Sequence, residues 1–200
     1  MPTSLSLPWP RAIYGPVLST VRTRVSRALI RQAVGMRTLV ILRHAKAEPG
    51  DGLGDVDRTL TQRGQADAAA AGGWLAAGGY RPDLVLCSPA RRTRQTWQAM
   101  AIEVAPSGAS PTVRYEPALY QCGTEEVFEL LREVPPEFGV TLLVGHNPTV
   151  SRLSAMLDPE ATRDSDGLST SGIAVHTWDG LWSDCRPGAG VLLASHTARG

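Results

Sequence analysis

The chain has 200 residues, 42% of them hydrophobic, with 20 basic and 19 acidic groups and a net charge of +1. That is enough for one domain with its own core, and no stretch approaches the ~18 apolar residues of a membrane-spanning helix. The balanced charge excludes a broadly basic nucleic-acid-binding surface and places any positive potential in a local cleft.

Residues 1–35 stand apart. They carry Arg11, Arg22, Arg24, Arg27 and Arg31 and no acidic residue, which leaves 15 basic and 19 acidic groups in residues 36–200. Three readings of this basic extension compete. It is upstream sequence read from an early start, with Met36 as the native start; it is a poorly ordered or partly helical tail; or it is a targeting peptide. The first is preferred. It lacks the 7–15-residue apolar core of a secretory signal. Residues 36–200 are taken as the folded domain.

From Thr38 onward strand and helix signals alternate. Thr38–Leu42 is a short apolar run of the kind buried on both faces. A polar loop over 43–59 follows, and Thr61 caps a predicted helix from Gln62 to about Ala77 that ends at Gly78-Gly79. Asp83–Cys87 is a second strand. Ser88-Pro89 reads as an N-cap followed by proline, so a helix is predicted from Pro89 to about Ile102. Val113–Tyr115 is a short strand. Thr124–Val134 is an amphipathic helix with Val127, Leu130, Leu131 and Val134 on one face. Val140–Val144 is a buried strand. Asn147-Pro148 repeats the cap-plus-proline signature before a helix to Leu157, and Ile173–His176 and Val191–Ala194 complete the strands. This alternation predicts a three-layer α/β/α sandwich around a mostly parallel central sheet.

In such sheets the ligand sits at the carboxyl ends of the strands. Three junctions there carry chemistry: Arg43-His44-Ala45, Ser88-Pro89-Ala90-Arg91-Arg92-Thr93 and Gly145-His146-Asn147-Pro148. Neighbouring strands lie ~4.8 Å apart, so these tips can share one pocket. Each motif alone is ordinary; the coincidence of all three, in order, is not. Imidazoles and guanidiniums converge there without a carboxylate cluster of the kind that holds divalent metals. Guanidinium forks match phosphate oxygens two at a time, and the helix starts add backbone N–H donors. The expectation is a phosphate pocket with no metal and no cofactor. Positive neighbours should keep His44 neutral and nucleophilic, so that a phosphohistidine forms on it and water releases phosphate. His176 and His196 lie away from these junctions and read as structural or solvated.

These motifs resemble the histidine phosphatase superfamily, which includes the phosphoglycerate mutases, and most of all its short branch of SixA-like phosphohistidine phosphatases. The likeness spans about residues 37–195. Leu42-Arg43-His44-Ala45 is similar to the family's Arg-His-Gly signature, with Ala45 in place of glycine. This implies His44 as nucleophile and Arg43 as phosphate ligand. Ser88 to Thr96 resembles the Ser-x-x-x-Arg pattern, which implies Arg92 as a phosphate-binding arginine. Gly145-His146 is similar to the second histidine motif, whose imidazole hydrogen-bonds the phosphoryl group. The segment Asp57 to Gly64 resembles the loop-to-helix entry, which implies that Arg58 faces the phosphate. Ser88 and Asn147 are carried as candidate substrate-binding residues.

One departure bears on substrate. Where many relatives place a glutamate proton donor, this chain reads Leu119-Tyr120-Gln121. An alkoxide leaving group needs such a donor; a phosphoramidate nitrogen can be protonated beforehand. The expectation is therefore a phosphohistidine protein phosphatase. The alternatives are a small-molecule phosphomonoesterase of the same superfamily acting on a phosphorylated metabolite, or a non-catalytic phosphate-binding module. Asp55 or Asp57 remains a candidate acid. Neither nucleic acid nor membrane is expected as a partner. Cys87, Cys122 and Cys185 are odd in number, without zinc-ligand spacing, and predict free thiols in the reducing cytoplasm.

Overall fold

The computed structural model describes residues 35–50, 52, 54–105, 110–161 and 166–200. The expectations for the basic extension fall outside the described residues, apart from Gly35. Strands β1 (Met36–Arg43), β2 (Leu84–Cys87), β3 (Thr112–Tyr115), β4 (Val140–Gly145), β5 (Gly172–Asp179) and β6 (Val191–Thr197) form one sheet in the order β3-β2-β4-β1-β5-β6.

The apolar run of β1 is explained by the two layers that cover it. Leu39 and Ile41 pack with Val127, Phe128 and Leu131 of α4 (Thr124–Arg132) and with Val150, Leu153 and Leu157 of α5 (Thr149–Leu157). Val40 and Leu42 turn the other way. They meet Ala71 and Leu75 of α1 (Gln62–Gly78) and Trp97 and Met100 of α2 (Arg91–Val104). Alternate side chains of one strand thus feed two cores, the pattern of a sheet sandwiched between helices.

The strand pairs β1–β4, β2–β4 and β2–β3 are parallel. The far side of the sheet is antiparallel: β5 runs against β1 and β6 against β5. β6 is an edge strand whose residues alternate between exposed and half-buried, so it lacks the continuous apolar signal of the centre. A short helix α3 (Ala118–Gln121) and single 3-10 turns at Asp55–Asp57 and Trp182–Asp184 were not foreseen.

Two predicted caps are corrected. α2 begins at Arg91, two residues later than expected, with Ala90 as the preceding residue; the fully buried Ser88 accepts from the Ala90 N–H at 3.4 Å, and its hydroxyl also lies 2.8 Å from His146 Nε2. α5 begins at Thr149 after Pro148, and the Asn147 amide is engaged by the chain at 168 and by Ser151. The Thr61 cap is as expected: its hydroxyl accepts from the Gly64 N–H at 2.9 Å, and Gly79 closes the helix in the left-handed conformation.

Gly64 has a second duty. A Cβ there would overlap the carbonyl of Lys46, the same oxygen that accepts from the Thr61 N–H at 3.0 Å. Glycine lets the start of α1 press against the segment just after His44. The expected outcome for Gly64→Ala is a loss of about 1–3 kcal/mol in stability from overpacking, with lower kcat/KM. Thermal unfolding and steady-state kinetics check it; an unchanged melting temperature contradicts it.

Candidate active site

The three central parallel strands end at one level. Leu42 pairs with Val144 and Val144 with Cys87. The chain then continues into His44, whose N–H donates to the Gly145 carbonyl, and into Ser88, whose N–H donates to the Val144 carbonyl, both at 3.0 Å. His44, Ser88 and His146 therefore emerge side by side, and the imidazole centroids of His44 and His146 are 5.1 Å apart.

The His44 ring is oriented by its own backbone neighbourhood. Nδ1 lies 2.7 Å from the Ala45 carbonyl oxygen. A carbonyl only accepts, so this contact puts the proton on Nδ1 and leaves the Nε2 lone pair free. Burial lowers the pKa of His44 from 6.5 to about 4; the Ala45 bond opposes this, and Arg92, Arg43 and Arg58 push it further down. The arginine effect expected from sequence is present, but desolvation is larger.

His146 is arranged the other way round. Its Nε2 is 2.8 Å from the Ser88 hydroxyl, and its buried Nδ1 has no partner. The serine hydroxyl can donate to Nε2 or accept from it, and in either case it fixes the plane of the His146 ring beside His44. Burial lowers this pKa to about 3, helped first by His44 and then by Arg92. Both rings are neutral at physiological pH.

Three guanidiniums close the pocket. Arg43 is steered by Nη1 to the Leu168 carbonyl at 2.9 Å. Arg92 is 6% exposed and donates through Nη2 to Asp55 Oδ2 at 2.9 Å and through Nη1 to the Asp55 carbonyl. Arg58 donates through Nη1 to Asp55 Oδ1 at 3.0 Å and through Nε to the Glu48 carbonyl at 2.9 Å. The Arg43 and Arg92 Nε atoms are buried without a partner.

Two participants were harder to read from sequence. Asp55, one of two candidate acids, is drawn into the pocket; Asp57 lies exposed on the same turn. Tyr120 was read only as the neighbour of a missing glutamate. α3 brings its ring to 5.7 Å from His146 and 5.9 Å from the Arg92 guanidinium, and its hydroxyl donates to Asp55 Oδ2 at 2.9 Å. Gln121 is exposed and Glu116 pairs with Arg114 at 3.0 Å. Ser88 meets the pocket through His146, and Asn147 donates to the same Leu168 carbonyl as Arg43, at 2.9 Å. His196 stacks on Trp74, and buried His176 lies 2.9 Å from the Ser154 hydroxyl; both are away from the pocket.

The model of the histidine phosphatase superfamily (branch 1) matches residues 39–120. An uncharacterised Mycobacterium tuberculosis protein is 39% identical over 165 residues, covering 79% of this chain and all of the relative. The chain belongs to the histidine phosphatase superfamily. Among solved structures, this histidine phosphatase is similar to the proposed phosphohistidine phosphatase SixA of Nakamurella multipartitia. That likeness has a TM-score of 0.71 and 33% identity over 82% of this chain and 97% of the other. The protein histidine phosphatase SixA complexed with tungstate matches with a TM-score of 0.66 and 26% identity, covering 80% and 96%. These neighbours make the protein a phosphatase of the SixA-like branch. Among the described residues no helix is long and apolar enough to cross a membrane.

The lowered imidazole pKa has a definite sign. The neutral His44 ring persists below 6.5 and is lost only as pH falls through the folded value near 4. The acid limb of kcat/KM should therefore lie below about pH 5, with activity recovered on return to neutral pH. A limb centred near 6.5 contradicts the buried, cation-surrounded ring.

Proposed function

We propose that this phosphatase works through a covalent phosphohistidine on His44 and that its preferred substrates are proteins carrying phosphohistidine. The observation that carries the first part is the Nδ1 contact to the Ala45 carbonyl, which leaves Nε2 as a lone-pair donor 5.1 Å, centroid to centroid, from His146 and among three arginines.

In the first step Nε2 of His44 attacks phosphorus. The bond from Nε2 to phosphorus forms as the bond to the substrate's imidazole nitrogen breaks; that imidazole, protonated from solvent on its other nitrogen beforehand, takes the bonding electron pair and departs neutral. In the second step water attacks phosphorus, the bond to Nε2 breaks, and inorganic phosphate forms as the ring regains its lone pair. Arg43, Arg58 and Arg92 neutralise charge on the equatorial oxygens, with His146 beside them. Such transfers depend mainly on positioning and charge stabilisation.

The proton inventory supports the phosphoramidate preference. Asp55 is the carboxylate held within the arginine cluster, and hydrogen bonds from Arg58 above all, with Tyr120 and Arg92, keep it well below the usual carboxylate range. It is ionised and a poor acid there. A leaving imidazole, protonated beforehand, needs less help than an alkoxide. The free cysteines, two of them buried with thiols pushed up to about 12, suit a reducing compartment such as the cytoplasm.

Purified protein assayed on phosphohistidine protein and on a panel of phosphate esters tests the substrate class; faster turnover of sugar phosphates contradicts it. Arg92→Ala should lower kcat by about 10³-fold, read by the same assay, and a residual rate close to wild type contradicts its role. EDTA should leave activity unchanged; inhibition overturns the metal-independent mechanism.

A further inference from the structure

Two of the three guanidiniums that would greet a substrate phosphoryl group already hold a carboxylate of this chain. Asp55 Oδ2 accepts from Arg92 Nη2 and from the Tyr120 hydroxyl, both at 2.9 Å, and Oδ1 accepts from Arg58 Nη1 at 3.0 Å. Arg58 and Arg92 are also two of the three cations that act on the His44 ring, so they serve the place where phosphorus must sit. A single N–H cannot serve a carboxylate and a phosphoryl oxygen at once, and the negative charge of Asp55 repels a second anion brought to the same guanidiniums.

The surroundings argue against a purely structural ion pair. The 3-10 turn Asp55–Asp57 buries none of its residues, and the Asp55 side chain is 53% exposed. None of the turn's three residues is seated in a hydrophobic core among the described residues. What anchors it is polar: the Arg92 bond to the Asp55 carbonyl, the Arg58 bond to the Glu48 carbonyl and two backbone bonds within the turn. An exposed pair contributes little to stability, whereas this one engages almost fully buried Arg92.

Resting on the phosphatase reading above, we propose that Asp55 is an internal competitor for the phosphoryl site and sets a charge threshold for what may enter. A terminal phosphoryl dianion brings two charges and three oxygens. It replaces the carboxylate on Arg92 and Arg58 and gains Arg43 as well. A monoanion, whether a carboxylate or a phosphodiester, exchanges one negative charge for another and gains less. Asp55 is thus a specificity-determining residue that discriminates by repulsion rather than by added contacts. It also weakens retention of inorganic phosphate, the product.

Calorimetric titration of the full chain with inorganic phosphate, and separately with acetate, tests this in wild type, Asp55→Ala, Asp55→Asn and Arg92→Ala, each checked for a native melting transition. Asp55→Ala should bind phosphate about tenfold more tightly, 1.4 kcal/mol, and should bind acetate where wild type does not. Asp55→Asn, which keeps the shape without the charge, should fall between. Arg92→Ala should lose phosphate binding. Unchanged or weaker phosphate binding in both folded Asp55 variants overturns the proposal. So does a loss of kcat at unchanged phosphate affinity, the behaviour of a proton donor. In either case the phosphatase reading stands as long as wild type binds phosphate through Arg92. Absence of phosphate binding in every version would remove the anion site itself and both readings with it.

Discussion

Registration of three parallel strands is the constraint on which the site depends. β2, β4 and β1 are adjacent in the sheet, and their last pairs, Cys87 with Val144 and Val144 with Leu42, lie at one level. A slip of one residue would turn every side chain to the opposite face. It is resisted on both sides at once, because Leu39 and Ile41 are bound into one core while Val40 and Leu42 are bound into the other. The polar residues that follow have no freedom to scatter. His44, Ser88 and His146 meet because the apolar residues before them are in step.

That convergence fixes the electrostatics. Two imidazoles in near contact beside three guanidiniums cannot all carry charge at reasonable cost. The arginines stay protonated and the rings give up their protons, with burial as the larger cause in both. Each ring is then oriented by one oxygen: the Ala45 carbonyl, which also fixes the tautomer of His44, and the Ser88 hydroxyl for His146.

Much of this was legible in the chain. Apolar runs bounded by polar turns revealed the central strands, and the motifs after them named His44, Arg43, Arg92 and His146 as a group. The antiparallel side was less visible because β6 is an edge strand that alternates between exposed and half-buried residues and lacks a continuous apolar run. Ser88 and Asn147 follow the pattern of helix caps, yet tertiary partners engage both side chains: His146 for the serine, which also accepts from the Ala90 N–H, and the chain at 168 and Ser151 for the asparagine. The meeting of Tyr120 with Asp55 joins residues 65 positions apart and has no local signature. The dominance of desolvation in the histidine pKa values likewise depends on packing that no single segment encodes.

The central claim is that Nε2 of His44 takes the phosphoryl group. Rapid acid-free quenching of the full chain after mixing with 32P-labelled phosphohistidine protein tests it most directly. The account predicts a protein-bound label that is labile to acid, stable to alkali and absent in His44→Ala. A label that persists in His44→Ala, or turnover by that variant at the wild-type rate, would contradict it.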